Sequence, residues 1–187
     1  MEMPKTGKLP VWLLDVDNVI NVPPPYSYDS GNNVKKRLKV HPEWVKTVIH
    51  DFQIMYAPAV IDFINDVSRK GLVTIKWTTS WGQYAVSEFA PGVGLDTFAV
   101  SEDKGSEFIW PHENWWKYIA AKHAAWEGPF VWTDDDIDKK AKLAVLQEGS
   151  QYGHEGLVIT PARSRGLEQP HLDQIMDFLL KQAENQA

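Results

Sequence analysis

The sequence predicts an α/β fold built on a mostly parallel sheet. Three observations lead there: short apolar, β-rich runs that end in polar or turn residues, helical spacing between those runs, and acidic residues directly after two of them. The runs are VWLL before Asp15, LVTIKW before Thr78, DTFAV at 96–100, PFVW before Thr133 and GLVITP at 156–161, which makes five strands. Helical spacing covers 58–70, 83–90, 113–126, 137–148 and 171–184. Pro58 opens the first helix and Pro170 precedes the last, while Gly71 and Gly149 are expected to close the first and fourth.

One segment departs from this alternation. From Val22 to Tyr56 the chain carries PPPYSYDSGNN and then KKRLKV and KTVIHDFQIMY, which suit an extended loop followed by a β-hairpin. We read 22–56 as an insertion lying over the site that the first strand leads into. No internal repeat or linker divides the chain, so residues 1–187 are expected to form one domain.

Composition narrows the function classes. The chain has 187 residues, 43% hydrophobic and 24% charged, as expected of a globular protein able to bury a core. No apolar run has the length of a membrane span, and Asp15 interrupts the N-terminal apolar residues. With no cysteine there are no disulfides, thiolate metal sites or cysteine nucleophiles, in keeping with a cytoplasmic protein. A net charge of −6 argues against wholesale electrostatic binding of nucleic acid. The run Lys35-Lys36-Arg37 with Lys39 either guides a phosphorylated polymer or forms a solvated hairpin face, the second being the commoner use.

The chemistry gathers at strand ends. LLDVDN places Asp15 and Asp17 at the carboxyl edge of the sheet, where open α/β folds bind ligands. VWTDDDID puts Asp134, Asp135, Asp136 and Asp138 after another strand. A lone D-x-D can simply make local turns. Two acidic patches on neighbouring strands would repel one another unless a cation lay between them. An all-oxygen donor set without paired histidine or cysteine favours a hard divalent ion, and a site that also admits phosphate favours Mg²⁺. Thr78, Thr79 and Ser80 offer hydroxyls after the second run, and Lys117 offers a positive charge. Together these groups suit phosphoryl transfer.

In this arrangement the sequence resembles the haloacid dehalogenase superfamily. VWLLDVDNVI is similar to its first motif, TIKWTTSW to its second, Lys117 to its lysine and FVWTDDDID to its fourth. The likeness extends to the small group of such domains with a W-x-T-S-W second motif and a G-L-x-x-x-H-L tail, found alone or attached to RNA-repair proteins. Here those stretches are WTTSW at 77–81 and GLEQPHL at 166–172. The resemblance implies a three-layer, Rossmann-like sheet and Mg²⁺-dependent hydrolysis of phosphate monoesters through an aspartyl-phosphate.

By that resemblance Asp15 is the nucleophile and Asp17 the acid and base. Thr79 and Lys117 would contact the transferring phosphoryl group, with Ser80 and Asn18 as further substrate contacts. Asp15, the carbonyl of Val16, Asp17, Asp134 and Asp135 would serve the metal, with Asp138 as an alternative to Asp135. Asp136 is expected at the start of the following helix, and Lys104, the alternative lysine, on a solvated loop.

Residues 80–116, between Thr79 and Lys117, are already claimed by a helix and a strand, leaving no room for a large cap. An open site covered only by a flap suits a phosphate at the end of a bulky molecule such as nucleic acid. The alternatives are a phosphatase for nucleotides or small metabolites and a non-catalytic module that binds phosphate or protein. Nothing in the sequence calls for an obligate protein partner. Trp77, Trp81, Trp115, Trp116 and Trp132 either stack on substrate or, as is commoner, fill the core and wall the pocket.

Overall fold

A computed structural model describes residues 8–22, 44–101 and 115–185. The proline-rich stretch after Val22, the basic run at 35–39, Lys104 and the side chain of Trp115 lie outside the described residues.

Strand β1 (Val11–Leu14) leads to the hairpin strands β2 (Val45–Ile49) and β3 (Phe52–Tyr56), followed by β4 (Thr74–Trp77), β5 (Ala99–Val100), β6 (Phe130–Thr133) and β7 (Gly156–Ile159). Five of them form a parallel sheet in the order β5-β4-β1-β6-β7. Every residue of β1 and β6 is buried, which is why these two strands read as unbroken apolar runs. The helices are α1 (Pro58–Arg69), α2 (Ala90–Val93), α3 (Trp115–Glu127), α4 (Lys139–Gln151) and α5 (Gln169–Glu184), with a π-helical turn at Ala85–Phe89 before α2.

Side-chain alternation along β1 divides the core. Trp12 and Leu14 pack with Val60, Ile61, Ile64 and Val67 of α1 and with Leu172, Ile175 and Leu179 of α5. Val11 and Leu13 face the other way, onto Ala120, Ala121, Ala124 and Ala125 of α3 and Val145 of α4. Helices therefore cover both faces of the sheet, as in Rossmann-like folds. From β1 the chain builds β4 and β5 on one side and then crosses to β6 and β7 on the other. The order reverses between β1 and β6, and ligands of open α/β sheets bind at the carboxyl ends of such a pair.

Several elements differ from the sequence reading. Gly149 does not end α4, which runs on to Gln151 and gives way at Gly153, with φ of 76°. Gly149 is small because the Phe130 ring lies against it, 3.1 Å from where a Cβ would sit. Strand β4 begins at Thr74 because Leu72 N–H closes the end of α1 by donating to Val67 O at 3.1 Å. Strand β5 keeps only two residues of DTFAV. Asp96 is held back by a two-pronged ion pair with Arg69 (2.7 and 2.8 Å), and its N–H donates to Asn65 Oδ1. The helix expected at 83–90 becomes the π-helical turn and α2, ending at Gly94 in the left-handed region. A hairpin forms within KTVIHDFQIMY and Val45 before it, turning through His50 and Asp51, both with positive φ, while KKRLKV lies outside the described residues. Among the described residues no helix is long and apolar enough to cross a membrane.

The C-terminal tail braces the turn after β1. Gly166 has φ of 62°, and a Cβ there would stand 2.7 Å from Val19 O and 2.6 Å from a methyl of Val22. Leu167, fully buried, donates its N–H to Val19 O at 2.9 Å. His171 Nδ1 accepts from Glu168 N at 3.1 Å in a reciprocal cap at the start of α5. Gly166→Ala should lose ~1–3 kcal/mol of stability in urea unfolding, since strain at positive φ and overpacking against Val19 act together. Unchanged stability would remove this bracing role.

Candidate functional site

Sheet hydrogen bonding continues one residue beyond β1, β4, β5 and β6. Asp15 N donates to Thr133 O (3.2 Å), Thr78 N to Leu14 O (2.9 Å), Ser101 N to Trp77 O (2.9 Å) and Asp134 N to Ile159 O (3.3 Å). Partners on parallel strands point to the same face, so the register sets Ser101, Thr78, Asp15 and Asp134 in a row at the carboxyl edge. That is the face covered by α3.

Lys117 reaches this row because it shares one stripe of α3 with Ala120, Ala121 and Ala124. The alanines let the helix lie close to the sheet, and Lys117 continues their line toward the strand ends. Its Nζ is 2.7 Å from Asp15 Oδ2 and 2.7 Å from Asp134 Oδ2, and all three residues are buried. Asp15 Oδ1 accepts Val16 N–H at 2.8 Å, and Asp134 Oδ1 accepts Asp136 N–H at 2.9 Å.

One ammonium thus serves two buried carboxylates. Burial and the neighbouring Asp134 push Asp15 up to about 7, even though Lys117 pulls in the opposite direction. Burial works to depress Lys117, but the charges of Asp15 and Asp134 prevail and raise it.

Asp135 brings a third carboxylate. Its Oδ2 accepts from Asn18 Nδ2 (3.2 Å) and pairs with Arg163 Nε (3.0 Å), and burial together with Asp134 holds its pKa above the usual carboxylate range. Ligand atoms of Asp15, Asp134 and Asp135 lie within 4.8 Å of one another, a group able to hold a metal ion. The fit is chemical as well as spatial, since three hard oxygen donors share Lys117 and the exposed Arg163, which leaves negative charge to be neutralised.

Asp17 stands apart from that cluster. Its Oδ1 accepts from Asn21 Nδ2 and its Oδ2 from Trp81 Nε1, both at 2.9 Å. The turn between is tight. Asn18 takes φ of 58°, a backbone asparagine tolerates, and its N–H donates to Asn21 O at 2.7 Å. Val16, proposed from the resemblance as a carbonyl ligand, accepts three backbone N–H groups there, from Val19, Ile20 and Asn21. Those bonds occupy its lone pairs.

The hydroxyls divide differently from expectation. Thr79 is buried, and its Oγ1 accepts Trp81 N–H at 3.4 Å; Ser80 is exposed. Thr78, passed over by the resemblance in favour of Thr79, stands level with Asp15, and its buried Oγ1 has no hydrogen-bond partner among the described residues. Asp138, the alternative metal ligand, caps α4 by accepting from Lys140 N (2.7 Å) and Ala141 N (3.0 Å). Asp136, expected at that helix start, instead pairs with Arg163 at 2.7 Å.

Trp77 and Trp132 are core residues, whereas Trp81 lies beside Asp17 with the rings of Phe52 and Phe89 each centred 5.5 Å away. Trp116, half-buried, has Lys117 Nζ 5.8 Å from its ring centre. Arg163 and Asn21 were missed from sequence. Their signal was position alone, in the loops that leave β7 and β1 at the carboxyl edge.

No family model, curated protein or solved structure matches the chain. Geometry carries the functional reading.

The charge balance predicts a metal-linked stability. Asp15's folded pKa of about 7 exceeds its ordinary 3.8, so its contribution is fully present below about 4 and is lost as pH rises through about 7. In chelator, the melting temperature of the wild type relative to Asp15→Asn should fall across that window. Excess Mg²⁺ at a pH above the window should raise the wild type by several degrees and the variant much less. A difference flat with pH and untouched by Mg²⁺ would contradict the charge balance.

Proposed function

We propose that the protein is a phosphohydrolase of the haloacid dehalogenase type, acting through an aspartyl-phosphate on Asp15. The observation that supports this reading most is Lys117 held 2.7 Å from both Asp15 and Asp134, with Asp135 in reach of the same point and Asp17 two residues beyond Asp15. A phosphoryl-transfer site needs an anionic nucleophile, cations to let it approach an anionic phosphate, and a proton donor for the leaving oxygen.

Asp15, Asp134 and Asp135 would hold Mg²⁺, which supplies charge neutralisation for the phosphate oxygens when bound. Asp15 Oδ attacks phosphorus while the bond to the leaving oxygen breaks and Asp17 gives that oxygen its proton. Asp17, now a carboxylate, takes a proton from water as the water oxygen attacks the aspartyl-phosphate, releasing phosphate and restoring Asp15. Lys117 neutralises charge on the phosphoryl oxygens and on Asp15 throughout.

The hydroxyl that meets the phosphoryl group comes from the turn after β4, from Thr79 by the resemblance or Thr78 by register with Asp15. The hairpin β2–β3 would act as the flap. It is tied to the turn after β1 by Val22 N–H to Met55 O (2.7 Å) and Met55 N–H to Asn21 Oδ1 (3.1 Å). We assign the substrate as a phosphate at the end of a bulky molecule such as a nucleic acid, because a hairpin encloses less than a cap domain does.

With Mg²⁺ and an aryl phosphate, Asp15→Asn should abolish turnover while leaving the circular dichroism spectrum unchanged; equal activity would remove Asp15 as nucleophile. Of Thr78→Val and Thr79→Val, the one that removes the phosphoryl contact should lose ~100-fold or more in kcat. Phosphorylated oligonucleotides should be turned over ahead of mononucleotides and sugar phosphates, and no turnover of any oligonucleotide would sink the polymer-end assignment.

A further inference from the structure

Both oxygens of Asp17 are held by side chains that also engage the hairpin. Asn21 donates from Nδ2 to Asp17 Oδ1 and accepts through its own Oδ1 from Met55 N–H of β3 at 3.1 Å. Trp81 donates from Nε1 to Asp17 Oδ2, while its ring packs on Phe52, the first residue of β3, at 5.5 Å. The indole also meets the buried Phe89. The hairpin is itself seated, since Ile49 Cδ1 lies 2.5 Å from where a Cβ on Gly92 would be. Phe52 remains 59% exposed, so its contact with Trp81 is made at the solvent edge.

We propose that Trp81 and Asn21 are positioning residues for Asp17, and that through them the seating of the β2–β3 hairpin sets how well Asp17 exchanges protons with the substrate. This inference rests on the phosphohydrolase reading for its catalytic consequence. One donor on each oxygen fixes the plane of the carboxylate and leaves further lone-pair directions for the transferable proton. An acid or base acts only within hydrogen-bond reach of the atom it serves, so losing either tether lets Asp17 rotate away. Displacing the hairpin would strain both tethers at once, because the two routes leave β3 at Phe52 and Met55.

Trp81→Phe removes the indole N–H and keeps a ring in contact with Phe52 and Phe89. Phe52→Ala keeps both donors and removes the hairpin's ring contact. The probes are an alkyl phosphate, whose leaving oxygen needs a proton, and 2,4-dinitrophenyl phosphate, whose leaving group departs as an anion. Because Asp17 also serves as base when water attacks the aspartyl-phosphate, the comparison is made on phosphoryl transfer to Asp15, read as leaving-group release in kcat/KM: Trp81→Phe should lower it ~10–100-fold on the alkyl ester and by less than about threefold on the dinitrophenyl ester. Phe52→Ala should show the same selectivity with a smaller loss. Equal losses on the two esters, or none on the alkyl ester, would overturn the proposal.

A second readout does not depend on turnover. In ¹⁵N–¹H spectra, both Asp17→Asn and Phe52→Ala should shift the Trp81 indole and Asn21 side-chain amide resonances; an Asn21 amide unmoved by Phe52→Ala would overturn the hairpin coupling. If the wild type hydrolyses neither ester in Mg²⁺, the phosphohydrolase reading and the catalytic part of this proposal fall together, while the spectra still decide whether the hairpin positions Asp17.

Discussion

Everything at the carboxyl edge of the sheet depends on Lys117 standing between Asp15 and Asp134. Two buried carboxylates on neighbouring strands would repel strongly in a medium less polarisable than water, and a single ammonium cannot neutralise both. Asp15 therefore resists ionisation in the isolated chain, and Asp135 adds to the excess of negative charge. A site poised in this way gains stability from a bound cation. It is also chemically suited to bring a phosphate, itself anionic, against a carboxylate.

The surrounding fold can be understood as support for that contact. Parallel pairing of β1 with β4 and β6 puts Asp15 level with Thr78 and Asp134, and the alanine stripe of α3 lowers Lys117 onto the row. The turn after β1 closes through the Val16 carbonyl and is held from outside by Gly166 and Leu167. Hence the GLEQPHL stretch is scaffolding. It joins the last helix to the turn carrying Asp17 and Asn18 through the bond from Leu167 N–H to Val19 O.

Much of this was legible in the sequence because the decisive signals were local. Apolar runs followed by aspartate marked β1 and β6 and their acidic carboxyl ends together, and helical spacing located Lys117 near the start of α3. What escaped depended on distant partners. Gly149 looked like a helix stop, since glycine serves both as terminator and as a flat place for a ring, and only the position of Phe130 distinguishes the two. Asp138 took the cap expected of Asp136 because the helix begins at Lys139, directly after Asp138, whose backbone is extended as a cap requires. Trp81 read as a pocket wall, for its hydrogen-bond partner Asp17 is 64 residues away along the chain. Thr78 and Thr79 are adjacent and alike, so only the sheet register tells which is level with Asp15.

The most direct test of a metal-dependent phosphoryl-transfer centre at Asp15 is to trap its covalent state. Protein quenched during turnover of an aryl phosphate in Mg²⁺ would be reduced with borohydride and digested for mass spectrometry. The account predicts homoserine at position 15, formed from aspartyl-phosphate, and none when Mg²⁺ is replaced by chelator. Sustained turnover with Asp15 always recovered as aspartate, or with the label on another residue, would contradict it.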